Sequence, residues 1–213
     1  MSIFTDNNKR YAEAGYSTIP IMPGAKRPGF LRSGMQTGLG RWAQFCETPA
    51  TQKQLLEWTN KFVEAGIGVA LGYNNVVGID LDYGTGDVLA AIEEHIPHTD
   101  FIKRGQKGYT AFFRTNEKWP SRIFNIPKTP IEYDDNGRLK EESVCEVLSV
   151  GRQSVLPPTI HPGTGKAYEW DDLPLSAINP ADLPLLPDDF IANITDALRK
   201  FGYTPTIAKI QTP

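Results

Sequence analysis

Val76-Val77-Gly78-Ile79-Asp80-Leu81-Asp82 is the stretch on which both the fold and the chemistry turn. In a β-strand, neighbouring side chains take opposite faces. Val77, Ile79 and Leu81 therefore point one way, and Gly78, Asp80 and Asp82 the other. The first face belongs in a core. The second carries two carboxylates about 7 Å apart at the C-terminal end of the strand. Such a pair repels unless a cation sits between its members. Hard divalent cations such as Mg²⁺ take carboxylate oxygens and share their shell with phosphates, so Asp80 and Asp82 are a candidate metal site. The plainer reading is two solvent-facing acids on an edge strand.

A third acid stands in Val144-Cys145-Glu146-Val147-Leu148, an otherwise apolar strand. A carboxylate there is costly unless it is paired with a base or bound to metal. Between these strands lies Phe101–Arg114, a basic hairpin candidate punctuated by Gly105 and Gly108. Glycines let backbone amides approach phosphate oxygens, and Lys or Arg supplies charge. The hairpin lacks the ending and spacing of a P-loop. Phe112 and Phe113 read as core. Gly151–Trp170 gathers polar groups around Pro157-Pro158, and His161, set among turn residues, is poorly placed for a core histidine. It is a candidate partner for a phosphate or sugar hydroxyl, whereas His95 and His98 read as exposed groups near a helix end.

Periodicity predicts helices over Asp6–Ala14, Gln52–Glu64, Thr85–His95 and Asp188–Phe201. Thr51 and Gln54 have capping-box spacing, and Thr85 can cap the third helix. Phe190, Ile194 and Leu198 form the inward face of the fourth. Strands are predicted over Ser17–Met22, Ile67–Leu71, Val76–Leu81, Asp100–Lys103, Tyr109–Arg114, Val144–Leu148 and Gln153–Leu156. Ala25–Gly40 reads as a loop and Lys118–Lys140 as turn-rich, with a hairpin tip at Asp135-Asn136-Gly137. Short strands with few helices and no regular βαβ array make the fold α+β (mixed α/β).

Composition excludes several classes. The 213 residues suit one generous domain or two small ones, and 40% apolar with 22% charged residues is ordinary for a globular chain. No apolar run approaches the roughly 20 residues of a membrane-spanning helix. Met1–Arg10 lacks the apolar middle of a secretion signal. Cys46 and Cys145 cannot make a disulfide framework or a four-Cys zinc site, and they read as half-buried small hydrophobes, with one disulfide as the lesser alternative. A reducing cytoplasm is the expected compartment. The net charge of −3 argues weakly against nucleic acid, but charge is uneven. Residues 101–130 hold seven basic side chains and one acid, so that segment can face a polyanion while acids elsewhere mask it in the total.

Taken in order, four stretches resemble a known family. They are Tyr11–Pro28 followed by Trp42; Ile67–Gly72 leading to Asp80-Leu81-Asp82; Lys107–Arg114; and Glu146 followed by Gly151–Thr159 and His161. The set is similar to the N-terminal catalytic domain of bifunctional DNA primase/polymerases, in the archaeo-eukaryotic primase superfamily, and looks closest to versions from phages, prophages and plasmids. The resemblance implies an RRM-like catalytic sheet packed with an N-terminal α/β unit. One catalytic domain of two packed subregions would span residues 1–201, with a linker or tail at 202–213.

It also implies a template-directed nucleotidyltransferase in which Asp80, Asp82 and Glu146 hold two Mg²⁺ or Mn²⁺ ions. Arg104, Lys107, Arg152 and His161 become candidates for phosphate contact, and Lys26, Arg27 and Arg114 for the template backbone. Nucleoside triphosphates, a single-stranded DNA template and a primer are the implied partners, with a helicase-ATPase in the same system and no membrane. Thr110 stands where many relatives place a histidine near the triphosphate. That departure is the ground for an alternative, a catalytically inactive nucleic-acid or nucleotide-binding module. A metal-dependent nuclease is a third reading.

Overall fold

A computed structural model describes residues 2–82 and 86–205. The N-terminal part forms α1 (Ile3–Ala14), β1 (Thr18–Ile21), β2 (Gly29–Arg32), β3 (Met35–Gly38), α2 (Gln52–Lys61) and β4 (Gly66–Ala70). Thr51 and Gln54 make the expected capping box on α2, satisfying two backbone donors at its start. Leu55 and Trp58 bury one side of that helix. The expected loop at 25–40 is instead the hairpin β2–β3. Its turn residues Ser33 and Gly34 both have positive φ, the geometry that closes a two-residue hairpin.

The remainder forms β5 (Val76–Leu81), α3 (Gly86–Glu93), β6 (Ile102–Arg104), β7 (Tyr109–Arg114), β8 (Arg122–Pro127), β9 (Glu141–Leu148), β10 (Gln153–Leu156), β11 (Glu169–Trp170) and α4 (Phe190–Arg199). Two of these strands, β8 and β11, were not anticipated. In β8, Phe124 and Ile126 alternate inward, but the prolines and charges around them hide the period. Asp134 Oδ1 accepts bonds from the backbone of Asn136 and Arg138 and forms the predicted tip beyond β8. The third helix begins at Gly86, and its proposed cap, Thr85, lies outside the described residues, as do residues 206–213 of the expected tail.

The strands make a three-stranded sheet ordered β1-β4-β10, a six-stranded sheet ordered β11-β6-β7-β5-β9-β8, and the β2–β3 hairpin. This is the mixed α+β fold expected from the sequence. Although β4 and β5 follow each other closely, they do not pair. A short helical turn at Tyr73–Asn75 passes the chain from one sheet to the other, and Asn74 and Asn75 take the left-handed conformation there.

Two cores follow from the alternation in β5 and β7. Val77, Ile79, Leu81, Ala111 and Phe113 pack against Val88 and Ile92 of α3 and Phe190, Ile194 and Leu198 of α4. On the opposite face, Phe112 and Leu148 join Tyr11, Ile67 and Val69 of the N-terminal unit. Phe112 and Phe113 are therefore both core, as anticipated, but in different cores. Cys46 and Cys145 are fully buried and free rather than half-buried or bridged. Beyond Phe112 and Leu148, the N-terminal unit no longer covers the sheet, and the polar end of β5 opens into a cleft.

Candidate active site

Strand register lines up the acids. Asp80 lies opposite Glu146 of β9 on one side and opposite Thr110 of β7 on the other, and Thr110 lies opposite Lys103 of β6. Residues directly opposite share a face, so Lys103, Thr110, Asp80 and Glu146 form one row across four strands. Asp82 follows on the same side, immediately past the end of β5. The Thr110 hydroxyl donates to Asp80 Oδ1. Gly78, on the same face, leaves room for this arrangement, since a Cβ there would stand 3.1 Å from the Thr110 methyl.

The hairpin turn Gly105–Gly108 presses against the end of the acid strand. A Cβ on Gly108 would stand 1.5 Å from the Leu81 carbonyl oxygen, and Gly108 has φ +54°. Only glycine fits there, for lack of space and for its backbone conformation. This contact sets Lys107 beside Asp82.

The far wall comes from the Pro-Pro segment. Thr159 Oγ1 accepts from the Ile67 amide at 2.8 Å and donates to the Ile67 carbonyl at 3.1 Å, tying the segment to β4. His161 follows and is only 4% exposed, so the expectation that it avoids the interior is corrected. The tight turn itself buries it. His161 Nδ1 accepts from the amides of Gly163 and Thr164, at 3.0 and 3.2 Å. The ring proton therefore sits on Nε2, which has no partner among the described residues. Burial, followed by the charges of Lys26 and Lys103, pushes its pKa down and favours this neutral form.

Between the walls is a cleft of about 380 Å³ lined by Asp80, Asp82, Lys26, Lys107 and His161 from the sequence-derived set. It also contains side chains that the sequence did not single out: Lys103, Gln106, Gln153, Ser154 and Tyr168. The parity of β6 explains the most important of these. Arg104 pairs with Tyr109, whose face is covered by α3, and its guanidinium binds Asp171 at 2.7 Å. Lys103 faces the acids instead. A four-residue turn between Arg104 and Tyr109 would have fixed this register in the sequence.

Other candidates lie outside the cleft. Arg114 is at the far end of β7, opposite Val76, with a buried Nε that has no partner among the described residues. Arg27 is exposed beside Lys26. Arg152 is exposed on the turn after β9, where its charge is felt by Glu146. Glu146 accepts a bond from Ser143 at 3.4 Å and does not line the cleft itself. His95 is half-buried and His98 is exposed beside Asp100; neither lines the cleft.

The acids of the row act on one another. Burial, and next the field of Asp80, hold the carboxyls of both Asp82 and Glu146 above the ordinary carboxylate range. None of the three acids has an ion-pair partner among the described residues. Nor is any group of three or more His, Cys, Asp or Glu side chains among the described residues placed so that it could hold a metal ion as it stands. Like charges without a cation between them hold apart, and Thr110 occupies one oxygen of Asp80. The donor set, all carboxylate oxygen next to a basic cleft, fits a hard divalent cation.

The fold and this site define a class in which carboxylates on an open sheet face a basic cleft. A family model described as "bifunctional DNA primase/polymerase, N-terminal" matches residues 8–186, and the chain belongs to that family. The family carries DNA primase/polymerase activity in general. A search of curated proteins found no match. Among the described residues, no helix is long and apolar enough to cross a membrane.

Proposed function

We propose that this chain is a template-directed nucleotidyltransferase that uses Asp80, Asp82 and Glu146. The observation that carries the reading is the row of acids set edge-on to a cleft with lysines on its other walls. Acids alone would repel a nucleoside triphosphate, and lysines alone would bind it without activating anything. Together they supply both halves of a phosphoryl-transfer site. Bound Mg²⁺ or Mn²⁺ would lower the pKa of the attacking hydroxyl and neutralise the triphosphate.

The remaining roles fall to the protein. Asp80 and Asp82 hold their carboxylates on one face at the mouth of the cleft, with Glu146 alongside. Lys107, fixed by the Gly108 contact, meets the phosphates. His161 offers its Nε2 proton as a hydrogen bond. The 3′-hydroxyl oxygen of a primer, or of an initiating nucleotide, bonds to the α-phosphorus. The bond to the pyrophosphate oxygen breaks, pyrophosphate leaves, and the hydroxyl proton passes to solvent. Lys26, at the cleft edge, and Arg27, exposed beside it, hold the template backbone through salt-sensitive contacts. Replication of a phage, prophage or plasmid, beside a helicase, is the setting in which we place this activity.

Thr110 favours a second reading, an inactive nucleotide-binding module. Its hydroxyl engages Asp80 where relatives place a histidine. Incorporation of labelled nucleotides on a primed single-stranded template, with Mg²⁺ or Mn²⁺, separates the two. The proposal expects incorporation by the wild type and its loss, by about a thousandfold or more, in Asp80→Ala/Asp82→Ala. Wild-type activity in the double variant would remove the mechanism. Nucleotide binding without incorporation would establish the second reading.

A further inference from the structure

Lys103 is the least expected residue in the cleft. Its side chain is 7% exposed, yet no carboxylate among the described residues forms an ion pair with it. The ammonium donates to Ser154 Oγ at 3.0 Å and lies 5.0 Å from the centre of the Tyr168 ring. A hydroxyl and a ring face orient a cation but do not neutralise it, and the fields of Asp80 and Asp82, neither within ion-pair distance, do not outweigh its burial. Burying an ammonium this way costs several kcal/mol of desolvation, which a fold recovers only if something anionic comes to meet it.

A second donor waits in the same cleft. The Nε2 proton of His161 has no acceptor among the described residues, and the His161 ring lies 5.2 Å from the same Tyr168 ring. The turn that follows β6 and the loop that carries His161 are packed closely. A Cβ on Gly105 would stand 2.8 Å from the Tyr168 ring, and one on Gly163 would stand 3.2 Å from Gln106 Oε1. Two buried donors, one without an acceptor among the described residues and one a charge with no ion-pair partner among them, flanked by Lys26 and Lys107, call for an anion with several oxygens.

We propose that Lys103 and His161 form a seat for the polyphosphate of the nucleotide, Lys103 supplying the fixed charge and His161 a directed hydrogen bond. The proposal rests on the nucleotidyltransferase reading and assigns a residue that the motif pattern does not reach. In this chain, the positive group at the triphosphate comes from β6, one strand beyond Thr110, with no help from position 110 itself.

The probe is inorganic tripolyphosphate, titrated calorimetrically without divalent metal into wild type, Lys103→Met, His161→Gln, Ser154→Ala and Asp80→Ala/Asp82→Ala. Lys103→Met should bind about ten- to a hundredfold more weakly, the worth of one charge-assisted hydrogen bond. Its melting temperature should hold or rise, because an unpaired buried charge has been removed. The double Asp variant should bind as well as wild type or better, since two repelling acids are gone. Unchanged affinity in Lys103→Met overturns the proposal, and so does a lower melting temperature with unchanged affinity, the mark of a structural lysine. Should Lys103→Met fail to fold, Ser154→Ala and His161→Gln decide: weaker binding in both supports the seat, and wild-type binding in either overturns it. The acid mechanism is tested separately, because full incorporation by the Asp double variant would remove it and leave the polyphosphate seat standing.

Discussion

The two faces of β5 are made by the same residues in alternation, yet they obey opposite rules. Val77, Ile79 and Leu81 are fully buried under α3 and α4. Gly78, Asp80 and Asp82 face the cleft side, where the carboxylates make no ion pair among the described residues and burial and mutual repulsion hold two of the three acids, Asp82 and Glu146, above the ordinary carboxylate range. The first face stabilises the fold, each buried side chain contributing about 1.5–3 kcal/mol. The second weakens it in the absence of a ligand. A strand that spends stability on one face and gathers it on the other marks where function sits.

Substitutions on the two faces should therefore differ in sign. The largest effect belongs to the apolar face. Ile79→Ala should destabilise by about 2–5 kcal/mol, read from chemical denaturation, because it opens a cavity between the sheet and α4. Asp80→Asn, one residue away, should leave stability unchanged or slightly raised. Equal losses at both positions would break the comparison.

Gly108→Ala comes next. The added methyl meets the Leu81 carbonyl, and the backbone is left-handed there, so we expect a loss of about 1–3 kcal/mol. Because the turn also sets Lys107 beside Asp82, incorporation should fall further than stability explains. A variant that melts lower but works normally at low temperature would separate the hairpin from the site.

Thr51→Ala removes the cap of α2, far from the acids, and should cost about 1 kcal/mol without changing incorporation. It is the control for global destabilisation, read by thermal melting beside the incorporation assay.

The smallest effect is one of pH. Asp82 and Glu146 titrate above the ordinary carboxylate range in the folded protein and within it when unfolded. The native state therefore binds more protons in that interval. The stability of the metal-free protein should fall as pH rises through and above the ordinary carboxylate range, by the contribution of these two groups. Asp80→Asn removes part of the field behind both shifts, so the difference between wild type and variant in urea midpoints should flatten across that interval. An identical pH slope in both proteins would show that Asp80 does not act on its neighbours.

The apolar face was the more legible in the sequence. The period of two in residues 76–82 and 109–114, the Thr51–Gln54 cap and the Phe190–Ile194–Leu198 spacing each reflect a local rule that holds in the fold. The same alternation put Asp80 and Asp82 on one face, but the register that sets Glu146 opposite Asp80 is long-range and left no local signal. Losses came where local signals conflict. Ser33-Gly34 closes a hairpin inside a glycine-rich segment that reads as loop, and β8 alternates between prolines. Lys103 and Arg104 were confused because a shift of one residue in register exchanges the faces of a strand. His161 was found by its unusual setting, but its burial depends on a turn that only the three-dimensional path reveals.

The claim beneath all of this is that the polar face of β5 exists to hold cations. It is tested most directly by titrating Mn²⁺ into the protein and following the loss of the free-ion paramagnetic resonance signal, for wild type and for Asp80→Asn/Asp82→Asn. We predict binding by the wild type that weakens at acidic pH, where protons compete for Asp82 and Glu146, and near-complete loss in the double variant. Binding of Mn²⁺ with the same affinity and stoichiometry by both proteins would contradict the account.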